Sequence, residues 1–237
     1  MSLADAQSLA IRKLLSKAAY DSNVAPGPPL PKSHPSPALI AKLHLECATL
    51  YASARALAKT PGSSSDSGDV SVDLRRYLGD EAIFHGAVSR KWLGVDAGES
   101  TKGGDAVAYL TWAKKELEEL KDGGKSLGVG KSEKSRTLRK GKVAEEMESI
   151  SMWLKHYQKA NDTVHFQPIP ERSEVQARIP AGRLAVAAKP YLPPTPAYGP
   201  GSLEYISRKA EELEVNDDDP AAAASSVGQY AGAGSYF

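Results

Sequence analysis

Apolar residues in this chain recur mostly at spacings of three and four. Leu3, Ala6, Ala10, Leu14 and Ala18 keep helical spacing to about Tyr20, and Ser2 with Asp5 three positions later has the form of a capping pair. Between Ala25 and Pro37 the stretch APGPPLPKSHPSP carries six prolines, which lack amide donors and bias their predecessors away from helix, so it reads as an extended connector. Ser36 then caps, with Pro37 in the first helical position, and Leu39, Leu43, Cys47, Leu50, Ala54 and Leu57 form a stripe along a helix from Ala38 to Lys59. The composition of PGSSSDSGD, residues 61–69, is that of a flexible loop.

The stretch from Asp73 to Leu120 predicts a helical hairpin. Leu74, Tyr77, Leu78, Phe84, Val88 and Trp92 supply the apolar bulk of its first helix, and the glycines between Gly94 and Gly104 end that helix and turn the chain. In the second helix Ala106, Tyr109, Leu110, Ala113, Leu117 and Leu120 fall on one side and Lys114, Lys115, Glu118 and Glu119 on the other. Trp92 and Trp112 read as core, each burying roughly 200 Å², or about 5 kcal/mol of apolar transfer. Val143, Met147, Ile150, Leu154 and Tyr157 mark a further helix ending near Ala160. With no alternating run long enough for a sheet, the class is all-α, an antiparallel bundle or short TPR-like solenoid over residues 1–180. Residues 181–237 read as a Pro/Ala/Gly-rich disordered tail with a short helix candidate near 203–213.

Composition narrows the function. Thirty Lys and Arg against 29 Asp and Glu leave a net charge of +1, which gives no electrostatic argument for nucleic acid. Basic charge is concentrated locally, in Lys131, Lys134, Arg136, Arg139, Lys140 and Lys142. That run reads either as a solvated helix start or as a lipid-facing patch, at about 1 kcal/mol per charge near an anionic membrane. Cys47, the single cysteine, points to a reducing compartment, and no run approaches 18 apolar residues, so a soluble intracellular protein is expected.

No reaction class emerges from the motifs. GGKSLGVGKS, residues 123–132, resembles a phosphate loop, but neither GK pair has glycine five positions before its own, and the stretch follows a helix where that loop follows a strand. The five histidines make no metal-binding signature. The sequon Asn161-Asp162-Thr163 lies in a chain with no leader signature and reads as chance or structure. Cys47 reads as a small buried hydrophobe, with thiol catalysis as the rival. Neither a cofactor nor a small-molecule substrate is called for.

Three stretches together resemble the BRO domain, the curved helical domain of ALIX-type proteins that work with ESCRT-III: LADAQSLAIRKLL (3–15), PALIAKLHLECATLYASA (37–54) and KANDTVHFQPIP (159–170). With KWLGVDAGE and AVAYLTWAKKELEEL the pattern most resembles the family's fungal pH-response members. It covers Leu3 to Pro170 and corresponds to the C-terminal half of such a domain. The resemblance implies a non-enzymatic adaptor, cytoplasmic and recruited to plasma or endosomal membrane sites, that binds the C-terminal amphipathic helix of an ESCRT-III subunit. Carried over residue by residue, the apolar contact positions fall on Leu39 and Leu43 and the basic one on Lys13. Ala10 stands where the family has an aromatic residue, and His165 and Phe166 reverse the family's aromatic-His order. Leu39 and Leu43 lie one turn apart and can receive a docking helix, yet periodicity alone places them in the core stripe. A generic helical scaffold for an unrelated peptide is the alternative reading.

Overall fold

The computed structural model describes residues 1–22, 27–31, 33–59, 70–123, 133–187, 189–194 and 199–217. Among them all regular structure is helical: α1 Ser2–Ser22, α2 Pro37–Leu57, α3 Val72–Glu99, α4 Gly103–Gly123, α5 Glu133–Ala160, a π-helical turn Asn161–His165, α6 Arg172–Ala177 and α7 Leu203–Asp217. The chain divides into two compact units, Met1–Ala187 and Ala188–Phe237. The loop at 61–69, the glycine-rich stretch at 124–132 and the last residues, 218–237, carried sequence expectations that lie outside the described residues.

In the first unit each long helix packs on its sequence neighbour, α1 on α2, α2 on α3, α3 on α4 and α4 on α5. The expected stripe of α4 is buried in full, and Trp92, Trp112 and Trp153 are all core residues. The main cluster joins α3, α4 and α5, with Ile40 and Ala41 from α2 and Val175 from α6. A smaller one joins Ala4 and Ile11 of α1 to Leu43, Cys47 and Tyr51 of α2 and Leu78 of α3.

The glycines of the hairpin do not turn the chain as expected. Gly94 and Gly98 lie inside α3, and the reversal is made at Ser100–Lys102, with Thr101 at φ 61°. Both glycines are packing positions: a Cβ on Gly94 would press on Leu110 of α4, and one on Gly98 would enter the Tyr157 ring of α5. Helix α1 is rotated from its predicted stripe. Ala4, Gln7 and Ile11 face inward, whereas Leu3 and Leu9 are exposed. Asp5, expected to cap, instead accepts the Tyr51 hydroxyl at 2.7 Å.

The segment after α5 packs against the helical core. Val175 of α6 is fully buried, and its carbonyl accepts the Tyr109 hydroxyl at 2.8 Å. In the second unit, Ser202 caps α7 through its hydroxyl, which accepts the Tyr205 amide at 3.1 Å. Helix α7 leaves Leu203, Ile206 and Leu213 exposed.

Candidate functional site

Besides their shared apolar cluster, α1 and α2 are joined by one buried polar side chain. Gln7 is 4% exposed, its amide nitrogen donates to the carbonyls of Leu43 at 3.1 Å and Arg183 at 3.0 Å, and its oxygen accepts the Ala185 amide at 2.9 Å. A buried amide satisfied in this way ties α1 to α2 and ties the extended segment after α6 to both. Arg183 adds a backbone bond of 3.0 Å to the Lys42 carbonyl.

Beside this pair runs a groove of about 700 Å³, walled by Asp5, Leu9 and Arg12 of α1 and by Lys142 and Glu146 of α5. His44 and His85 lie at its base, with their Nδ1 atoms 2.8 Å apart and both rings buried. One Nδ1 must carry the shared proton. The Glu81 carboxylate lies 3.6 Å from His85 Nε2 and favours a proton there, which makes His44 the Nδ1–H donor and His85 the acceptor. Burial holds the His44 pKa well below the ordinary imidazole range, with His85, Lys91 and Lys142 adding repulsion. Burial, then Lys142, lowers that of His85 to about 3. Both rings are therefore neutral near pH 7. Tyr51 stacks on His85 at 5.6 Å, and Lys142 pairs with Glu81 at 3.0 Å while lying over the Phe84 ring.

The residues singled out by resemblance separate here. Lys13 is exposed on α1, and Leu39 is half-buried at the edge of the smaller cluster. Leu43, at 5% exposure, belongs to that cluster's interior, so as a surface contact it is corrected to a core residue, as its periodicity indicated. The basic run is likewise divided. Arg139 pairs with Asp80 and Lys142 with Glu81, so these two are tied to α3. Lys140 is exposed, Lys134 and Arg136 fall in the first turn of α5, and Lys131 lies outside the described residues.

At the exit from α5, Asn161 is buried and brackets Gln167, donating to its carbonyl at 3.0 Å and accepting its amide at 3.2 Å. The sequon asparagine is thus a structural residue. Phe166, at φ 48° and 74% exposed, does not pack. Cys47 is buried, and burial, with the nearby Glu81 charge, pushes its thiol up to about 12, which removes the thiolate that catalysis would need. Among the described residues no group of three or more His, Cys, Asp or Glu could hold a metal ion. Sequence reasoning missed Gln7 and the histidine pair. A glutamine on the inward side of an amphipathic stripe is the one signal that could have revealed the first; the separation of 41 positions between His44 and His85 gave none for the second.

Residues 1–210 match the family described as BRO1-like domain. The chain belongs to this family. Two curated relatives bear the same description, pH-response regulator protein palC. One, from Cryptococcus neoformans var. neoformans serotype D, is 38% identical over 273 residues, covering 99% of this chain and 54% of the relative. The other, from Emericella nidulans, is 25% identical over 229 residues, covering 81% of this chain and 43% of the relative. The chain thus spans about half the length of the curated relatives it matches. Among solved structures, that of an ALIX BRO1 CHMP4C complex shares the fold, with a TM-score of 0.55 at 16% identity over 80% of this chain and 43% of that one. The BRO1 fold accounts for the successive packing of α1 to α5. No helix among the described residues is long and apolar enough to cross a membrane.

Proposed function

We propose that this chain is a palC-like BRO1 adaptor of the ambient-pH response that performs no catalysis and docks the C-terminal amphipathic helix of an ESCRT-III subunit on the outer face of α1 and α2. One observation carries the reading. In a chain similar to palC along almost its whole length, Leu39 stands half-buried at the edge of the α1–α2 core, with the exposed cation Lys13 on the helix packed beside it. A helix with an apolar stripe and an acidic flank suits such a face, since its stripe covers Leu39 and its acids meet Lys13. Leu43 supports the face from beneath. CHMP4C in the complex of the ALIX BRO1 domain supplies the partner class.

The adaptor works in the cytoplasm and reaches plasma or endosomal membrane sites through its partner. Arg139 and Lys142 are already paired within the domain, which leaves less basic charge for direct lipid contact.

Leu39→Asp places a charge at the centre of the docking face and lowers affinity for a labelled ESCRT-III helix by at least about 30-fold, roughly 2 kcal/mol, with helicity unchanged. Lys13→Glu acts at the rim and costs a few-fold, more at low salt than at high salt. Loss of helicity in Leu39→Asp would show that the residue belongs to the core, and unchanged affinity with intact helicity would remove this face from the account.

A further inference from the structure

The extended segment that follows α6 lies on the same side of α2 as Leu39. Gly182 approaches α2 so closely that a Cβ there would stand 2.8 Å from the Glu46 backbone nitrogen and 2.9 Å from its Cα. One residue later Arg183 donates its amide to the Lys42 carbonyl, and Gln7 grips both Arg183 and Ala185. Leu39 and Glu46 are seven residues apart, two turns along one side of α2, separated by about 10.5 Å. A docking helix of ten residues spans about 15 Å. Laid along α2 from Leu39 towards the C-terminal end of α2, it meets this segment before its third turn.

We propose that residues 182–185 form a strap that competes with the docking helix for the α2 face, so that release of the strap sets the affinity for the partner. The inference rests on the adaptor reading above. The strap is suited to release. It is held mainly by hydrogen bonds, and Gly182, Arg183, Ala185 and Val186 are exposed beyond the backbone contacts. Segments held in this way open at lower free energy than packed helices. When only the strap-open fraction can accept a partner, the apparent dissociation constant is the intrinsic one divided by that fraction, and freeing the strap removes the penalty. Gln7 then has two roles, joining α1 to α2 through Leu43 and latching the strap through Arg183 and Ala185.

The discriminating variant is Gly182→Ala, which pushes the strap off the Glu46 backbone without altering α1 or α2. A labelled synthetic ESCRT-III C-terminal helix is titrated into the wild-type chain and into this variant, while amide exchange is followed at Arg183 and Ala185. The strap account expects binding about tenfold tighter in Gly182→Ala, with both amides exchanging faster. It also expects saturating helix to deprotect the same two amides in the wild type. Should Gly182→Ala leave Arg183 protected, Arg183→Pro deletes that N–H outright and carries the same expectation of tighter binding, with faster exchange read at the Ala185 amide. Equal or weaker binding by a variant whose strap is released overturns the competition while leaving the adaptor reading in place. No binding by the folded wild type or by either variant overturns both.

Discussion

At the residue scale, the sharpest test is Gly98, because two principles predict opposite signs. A glycine inside a helix ordinarily costs about 1 kcal/mol relative to alanine, so Gly98→Ala on an open helix would stabilise. Here the added methyl enters the Tyr157 ring, whose hydroxyl is tied to Glu99 at 2.7 Å, and overpacking of this kind costs about 1 to 3 kcal/mol. Gly98→Ala is expected to lower the urea midpoint; a rise would show that α5 stands further from α3 than described. The buried histidines make the second test. Their native pKa values lie below the ordinary 6.5, so below pH 6.5 the unfolded chain binds protons that the folded chain refuses. Stability is complete above that pH and falls as pH drops towards about 3, where His85 titrates. Each histidine shifts the folding equilibrium by up to about tenfold per pH unit in this window. The raised pKa values of Asp80 and Glu116, both due first to burial, oppose this only in the carboxylate range. Urea midpoints measured from pH 7.5 to pH 5 should therefore decline, and a flat profile would mean that the pair is not buried together.

At the element scale, legibility in the sequence followed the kind of residue that does the packing. Helix α4 was readable because its inward side is purely apolar, from Ala106 to Leu120. Helix α1 was misread because its inward side includes Gln7, which periodicity counts as polar and outward although three hydrogen bonds hold it inside. The end of α3 was misplaced because glycine signals a turn and a close helix contact equally well, and only the facing Leu110 and Tyr157 decide between them. The start of α5 was hidden by its charge, since Arg139 and Lys142 are satisfied by Asp80 and Glu81 on a helix more than fifty residues earlier. The energetic centre of α5 is Trp153, fully buried and stacked on Tyr157 at 5.7 Å. Trp153→Ala is expected to cost about 3 to 5 kcal/mol in chemical denaturation, and a cost below about 1 kcal/mol would show that α5 is only loosely docked.

For the whole molecule, the family was visible in three short stretches spread over the helical unit, and the match of residues 1–210 bears out that resemblance. The docking face was only partly legible. Resemblance supplied positions, but which side chain reaches solvent depends on how α1, α2 and the segment after α6 close on one another, and that closure put Leu43 inside and left Leu39 at the edge. The central claim is that the α1–α2 face receives an ESCRT-III helix, and a hydrogen-exchange footprint tests it most directly. The intact chain is compared alone and with a saturating synthetic ESCRT-III C-terminal helix. The account predicts added protection confined to residues 2–22 and 37–57, centred on Leu39. Protection elsewhere in the chain, or saturable binding with no change in α1 and α2, would contradict it.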